Sequence, residues 1–444
     1  MAMSRTARRV LSLGGATAGS QAIALAALPV ITRLYPPEIL GLLATALSVM
    51  TMVSVIACLR YDQAIPLVIS RSGSSALVLL SLLLAGATAL LSAGVLYILT
   101  QVSDRLAEAI PYPLAIALGI FLLAANGIVI MWATGRGMIN FIAAARLVSS
   151  VSDAALKIGF GAIASTGAAL LGAYLLGVTL TIAFFIILMI VFERLPRVRW
   201  DHLGQRLKHA LFRHRRFFQL GLLETIFTTV AVQAPVLLFA SFFGPAQAAL
   251  LFIALQIMRS PVTLISNAVG RVFLSELASA KKKQNVEDLT REHLNILGKT
   301  GIPLVIVLGL IGSAMASRIF GSDYADISYY MLCMIPWMAA VMLTTPFTAA
   351  LYSYERFQLA LFLACLGAIL RVGGVFLSFV LDLDPILILS ASNIATYLLY
   401  LLSISQTIGI GLQGWFHPLL AAVPRMITAS AIGILVLIIE GTIL

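Results

Sequence analysis

The stretch ALVLLSLLLAGATALLSAGVLYIL, residues 76–99, decides the fold class. It holds no charged residue and no proline. At about 1.5 Å of rise per residue such a run crosses the roughly 30 Å hydrocarbon layer of a bilayer. Charge returns on both sides of it, at Arg71 and at Asp104 and Arg105. The same arrangement recurs along the chain. Runs bounded by charge, Pro or Gly fall at 10–33, 38–58, 76–99, 113–134, 140–165, 168–192, 217–241, 246–270, 298–319, 329–351, 358–381, 386–409 and 418–440. The chain is 61% hydrophobic and 11% charged, whereas a soluble domain is roughly a quarter charged. A soluble fold of this composition could not clothe its surface with polar groups. The reading is an all-α integral membrane protein of about twelve or thirteen transmembrane helices. Pro424 and Arg425 interrupt the last run, so 418–440 reads either as a span or as an interfacial helix.

The basic residues test this layout. Met1 to Arg9 is basic, and the run that follows, Val10 to Leu34, is too long for a signal core and lacks a convincing cleavage site. It reads as the first helix, with its N-terminus cytoplasmic. Counting outward from there, with residues toward a run's end assigned to the adjoining segment, twenty-two Lys and Arg fall in cytoplasmic segments. Three fall outside (Arg33, Arg105 and Arg318), and four lie within spans. That is the positive-inside bias, and one missed early helix would scramble it.

The two longest loops, 193–216 and 271–299, are both cytoplasmic in this layout. The first divides an N-terminal six-helix lobe, 1–192, from a C-terminal six-helix lobe, 217–409, leaving an extra membrane segment at 410–444. Six is even, so both lobes enter the membrane in the same sense, which implies a parallel two-fold repeat about the membrane normal. TRLYPPEILGLLATAL from Thr32 and ASFFGPAQAALLFIAL from Ala240 echo it, with Pro37 and Pro245 in register.

Several function classes lack their residues. No nucleotide-binding loop, HExxH or strand–turn–helix glycine motif is present. Cys58, Cys333 and Cys365 lie in apolar stretches without CxxC spacing, which fits small buried hydrophobes. His202, His209, His214, His293 and His417 have no ligating spacing, so neither metal nor cofactor is expected. The basic run RLPRVRWDHLGQRLKHALFRHRRFF from Arg194 reads as an anchor on anionic lipid, and nothing else suggests nucleic acid. The longest outer segment, Thr100 to Tyr112, is too short to hold a catalytic fold, so a transporter is expected rather than an enzyme.

Charges inside spans cost at least about 2.5–3.5 kcal/mol to insert, so they face a bundle interior or water. In the fifth span Arg146, Ser150, Asp153 and Lys157 follow helical spacing on one face. They read as a polar cavity stripe or as a structural salt bridge, with Asp153 and Lys157 able to pair. In the eighth span Gln256 and Arg259 share a face, and Arg259 lies about 20 Å of rise beyond Pro245. Pro261 favours a helix break there. Arg371 is central in the eleventh span, with Glu224 as a partner or a cavity role of its own. Arg60, with Asp62 two residues on, falls inside a long bent helix or at its interfacial end. Arg33 reads first as an interfacial arginine. Interior cations of this kind suit an anionic or amphiphilic solute, because guanidinium donors match phosphate oxygens in pairs.

Three stretches carry a family resemblance: LPVITRLYPPEILGLL from Leu28, ACLRYDQAIPL from Ala57 and QIMRSPVTLISNAVGRVFLSELAS from Gln256. With the order and loop lengths of residues 1–410, they resemble the polysaccharide-transporter, or O-antigen (Wzx-type) flippase, family. That family belongs to the multidrug/oligosaccharidyl-lipid/polysaccharide (MOP) exporter superfamily. The resemblance implies a two-lobed, MATE-like bundle around a central cationic cavity. The implied activity is carriage of undecaprenyl-pyrophosphate-linked oligosaccharide, an O-antigen, capsule or exopolysaccharide unit, from the cytoplasmic to the periplasmic leaflet of a bacterial inner membrane by alternating access. Polysaccharide polymerase and export machinery are the implied partners. Arg33, Arg60 and Asp62 match charged positions of the family's motifs. Many relatives have a basic residue where this chain has Gln256; Arg259, on the same face, is its substitute here. Asp62, Asp153 and Glu224 are the candidates for coupling to an ion. The alternatives are an ion-coupled drug antiporter of the same superfamily, which would favour an acidic and aromatic cavity, and a polymerase or ligase of lipid-linked sugars, which would need a larger outer loop.

Overall fold

The computed structural model describes residues 5–68, 71–102, 107–108, 110–192, 215–279, 283–409 and 423–439. The basic stretch 193–214, with three of the histidines, lies outside the described residues, as do parts of the outer segment between Thr100 and Tyr112 and residues 410–422, with His417. Every regular element among the described residues is helical. Fourteen helices carry the argument: α1 (Arg5–Leu34), α2 (Pro37–Ala57), α3 (Arg71–Val102), α4 (Pro113–Gly135), α5 (Ile139–Ile163), α6 (Gly167–Val191), α7 (Arg215–Phe243), α8 (Pro245–Ser279), α9 (Lys283–Ile296), α10 (Ile302–Ala314), α11 (Ile327–Thr344), α12 (Phe357–Val380), α13 (Pro385–Ile408) and α14 (Val423–Ile439).

Among the described residues, twelve segments are long and apolar enough to cross a membrane, and they coincide with the first twelve runs read from the sequence. The chain is therefore a multi-pass membrane protein. Its lipid-facing surface is of the kind a bilayer requires: Leu90, Leu91, Val102 and Ile163 stand fully out from their helices. In water such a surface would aggregate, whereas in hydrocarbon it satisfies the only available solvent.

Local signals set the helix ends. Proline opens α2, α4 and α13, where its missing N–H costs nothing. Asp384 caps α13, its Oδ1 accepting from the N–H groups of Ile386 and Leu387 at 3.0 and 3.1 Å. Gly409 ends the same helix at φ +78°, a left-handed cap that glycine adopts without penalty.

Within the run 418–440 the described residues form α14, whose described apolar part, Val423–Ile434, is shorter than the twelve spans. The structure corrects three expectations. The expected loop 271–299 is largely helical, because α8 continues to Ser279 and α9 follows. Pro261 does not break α8, which runs unbroken through it; proline is tolerated within membrane helices, where neighbouring groups satisfy the freed carbonyl. The helix after Glu38 does not continue past Arg60. It ends at Ala57, and a 3₁₀ turn occupies Tyr61–Leu67.

The chain forms two compact units, residues 1–248 and 249–444. In the first, α1 lies along α5, α5 along α6, α3 along α4, and α2 against both α4 and α7. The unit reaches past the 193–216 linker because α7 packs on α2. Gly41 of α2 also admits the first residue of α8: a Cβ there would collide with the Pro245 backbone carbonyl. Small residues that admit a neighbouring backbone are the usual means of close packing in bilayers, where no hydrophobic force acts between helices. In the second unit α10 packs on α11 and α14, and α13 on α11 and α12. Helix α8 joins them through Ser266 against Met342 and Phe273 edge-on to Phe347.

Candidate functional site

The ionisable residues singled out in the sequence fall into four local settings. The first is the break after α2. Leu59 and Arg60 both take left-handed backbone angles, φ +47° and +65°, a conformation costing about 1–2 kcal/mol for a side-chain-bearing residue. The turn is held from outside. Thr88 Oγ1 donates to the Ala57 carbonyl at 3.2 Å, and Pro66 presses against the Cα of Gly135, where a Cβ would come within 2.8 Å. Asp62 does not pair with Arg60. Its Oδ2 accepts from Gln63 Nε2 at 2.8 Å, while its Oδ1 is buried without a hydrogen bond. The Arg60 side chain, half-buried, makes no hydrogen bond or ion pair among the described residues.

The second setting is the stripe on α5. Arg146 Nη1 donates to Thr17 Oγ1 of α1 at 2.6 Å. One helical turn joins Lys157 Nζ to Asp153 Oδ2 at 2.7 Å, so the i,i+4 pair anticipated from the spacing forms. The ammonium also faces the Tyr174 ring of α6, 5.3 Å from its centroid. Tyr35, just after α1, donates its hydroxyl to the Lys157 carbonyl at 2.9 Å, and its ring lies against Gly161, where a Cβ would come within 2.8 Å. Asp153 keeps its second oxygen, Oδ1, buried and without a hydrogen bond. The stripe thus ties α5 to both neighbours and leaves one carboxylate oxygen unused. Arg33 is exposed near the end of α1, and Glu224 is half-buried on α7.

The third setting escaped the sequence reading. Arg136, at the end of α4, stacks over Trp132, 4.4 Å from the ring, and donates to the buried Ser74 hydroxyl at 2.8 Å. It counts in the sequence only as one more loop cation. The i,i+4 spacing of Trp132 and Arg136 was the signal that could have revealed it.

The fourth setting is in the second unit. Arg371 of α12 is 7% exposed, and its guanidinium lies over the Tyr397 ring of α13 at 5.2 Å. One donor atom, Nε, is buried without a hydrogen bond. Glu224, offered in the sequence as its partner, belongs to the other unit. Helices α12 and α13 bury further polar groups, Ser378, Ser390, Asn393 and Thr396. On α8, Gln256 is half-buried and Arg259 exposed. Arg259 makes no hydrogen bond or ion pair among the described residues, although it lies well inside the Pro245–Leu277 span.

These groups can bind and neutralise charge. They are not arranged as nucleophile and base, and among the described residues no cluster of His, Cys, Asp and Glu could hold a metal ion. A family model described as "Polysaccharide biosynthesis protein" matches residues 30–329. The chain belongs to the polysaccharide biosynthesis protein family. The part that matches this family contains Arg33, Arg60, Asp62, the α5 stripe, Glu224, Gln256 and Arg259, whereas Arg371 lies beyond it. No curated protein matches the chain.

Solved structures share the fold of this polysaccharide biosynthesis family member. It is similar to lipid II flippase MurJ in an inward closed conformation, with a TM-score of 0.68 at 15% identity over 96% of this chain and 97% of that one. It is also similar to an inward-facing multidrug resistance MATE family transporter of the MOP superfamily, with a TM-score of 0.62 at 15% identity over 92% and 96%. A MOP superfamily transporter from Pyrococcus furiosus, described as having a binding pocket of reversed polarity, follows at 0.53 and 13% over 90% and 95%. At these identities the likeness is one of fold. The MOP fold expected from the sequence is the fold observed.

Proposed function

We propose that the protein is a flippase for lipid-linked oligosaccharide. Its substrate is a polyprenyl-pyrophosphate-linked repeat unit of a surface polysaccharide, moved from the cytoplasmic to the periplasmic leaflet of the bacterial inner membrane. Membership of the polysaccharide biosynthesis family supports the substrate class. The MOP fold supports a transporter that works by alternating access in two six-helix lobes, rather than an enzyme.

The observation that carries the reading is Arg259. It is a cation about 20 Å of helix rise from the start of a spanning helix, exposed, and with no ion pair among the described residues. An uncompensated charge at that depth is too costly to keep without a function. A pyrophosphate supplies the missing anion. Arginine donors replace the water stripped from the phosphate oxygens, which would otherwise be prohibitively costly to desolvate. Arg371 and Arg60 serve the same substrate, with Arg33, Arg146, Lys157 and Gln256 as further contacts. The buried, unused carboxylate oxygens of Asp62 and Asp153 provide sites for a coupling proton or cation, with Glu224 as a third.

The test is the lipid-linked oligosaccharide pool of cells lacking the protein, resolved by leaflet. Build-up on the cytoplasmic face with loss of surface polysaccharide is expected. Single repeat units accumulating on the outer face would instead indicate a polymerase or ligase. An unchanged pool would remove the glycolipid reading and turn attention to drug antiport.

A further inference from the structure

Beyond the transported solute, the second unit holds a cavity that the flippase reading does not use. It has a volume of about 500 Å³ and lies between α9, the π-helical turn Leu297–Gly301 and the start of α14. Two cations, Lys299 and Arg425, and two carboxylates, Asp288 and Glu292, line it. Its third cation, Arg291, is committed to Glu287 at 2.7 Å. None of the four is joined to another by an ion pair among the described residues. The cavity therefore holds two positive and two negative groups apart around open space, with a balanced charge.

The frame that separates them is built. Residues 297–301 widen into a π turn, a local departure that recurs at binding sites. Arg425 Nη1 donates to the Lys299 carbonyl at 3.3 Å, fixing the start of α14 to that turn. Beyond the cavity α14 lies along α10, with Gly433 against Leu310. On the outer side Ile427 and Ile432 of α14 and Leu304 of α10 are exposed. A charged pocket thus opens onto an apolar surface, at the junction of a polar helix and a spanning one.

We propose that this cavity binds the headgroup of a zwitterionic aminophospholipid. The phosphate meets Lys299 and Arg425, the ammonium meets Asp288 and Glu292, and the acyl chains lie on α10 and α14. Charge balance selects this occupant. A purely anionic headgroup would face both carboxylates, and a polyprenyl pyrophosphate carries no amine to satisfy them. One exposed ion pair contributes little. A headgroup engaging both signs at once, with its chains on apolar surface, gathers several contacts in one ligand.

Native mass spectrometry of the full-length protein in detergent tests this with phosphatidylethanolamine and phosphatidylglycerol added in competition. The expected result is retention of phosphatidylethanolamine over phosphatidylglycerol by about tenfold. Arg425→Ala should reduce retention of phosphatidylethanolamine by a similar factor. Asp288→Asn combined with Glu292→Gln should abolish the preference while leaving phosphatidylglycerol bound. These residues are exposed, so the variants keep the fold, which unchanged thermal unfolding would verify. Equal retention of the two lipids by the unaltered protein would overturn the proposal, as would a preference that survives in the Asp288→Asn, Glu292→Gln variant.

Discussion

Lys157 reaches back one turn of α5 to Asp153, Nζ to Oδ2 at 2.7 Å, and the lysine side chain is 11% exposed while that of the aspartate is 32% exposed. The ammonium also faces the Tyr174 ring. This is a neutralised pair between packed helices, so its members should respond differently to single and double replacement.

Lys157→Ala leaves a half-buried carboxylate without its counter-charge. Breaking a buried pair from one side costs about 3–5 kcal/mol, and the partial exposure of Asp153 reduces that to roughly 2–3 kcal/mol. Asp153→Leu with Lys157→Met should recover most of the loss. Thermal unfolding of the purified variants measures both. A double variant that also loses activity would separate coupling from structure.

Arg60 is strained in a way that divides stability from function. Arg60→Gly relieves its left-handed backbone, and glycine there should raise stability by about 1 kcal/mol. If the guanidinium contacts the solute, transport falls in the same variant. Stability and flipping moving in opposite directions is the expected outcome; unaltered flipping would remove Arg60 from the site.

The Arg371–Tyr397 stack predicts a graded series. Tyr397→Phe keeps the ring face under the guanidinium and should retain flipping. Tyr397→Leu removes it, losing about 1–2 kcal/mol of interaction with a desolvated cation, and flipping should drop with it. Equal activity in the two variants would show that the ring does not position Arg371.

At the start of α11, Tyr329 donates its hydroxyl to Asp384 Oδ2 at 2.9 Å while Oδ1 caps α13. Tyr329→Phe should cost about 1 kcal/mol. Asp384→Ala, which loses the cap as well, should cost about 2 kcal/mol. A thermal-unfolding double-mutant cycle should give a coupling close to the smaller value, since only the hydroxyl bond is shared.

The twelve spans were legible because a bilayer imposes one length and one composition on every crossing, and residues 76–99 display both. The i,i+4 pair at Asp153 and Lys157 was legible because helical spacing alone brings the two together. What the sequence concealed depended on other helices. The break at Leu59 and Arg60 interrupts an apolar run that continues to Ile69, so hydropathy shows no sign of it; Thr88 and Gly135 accommodate it from elsewhere in the chain. Pro261 misled in the opposite sense, since a proline within a membrane helix is decided by its surroundings. Arg136 was hidden by being counted among the loop cations, and the aromatic partners of Lys157 and Arg371 lie on different helices from the charges they meet.

The most direct test of the central claim is flipping of lipid-linked oligosaccharide by Arg259→Ala in proteoliposomes, with thermal unfolding recorded on the same preparation. The account expects transport to fall by at least about tenfold, since a charge-assisted contact to phosphate contributes 1.5–3 kcal/mol, with stability unchanged because Arg259 has no ion pair or hydrogen bond among the described residues. Full flipping by a stable Arg259→Ala protein would contradict the claim that interior arginines carry the anionic solute.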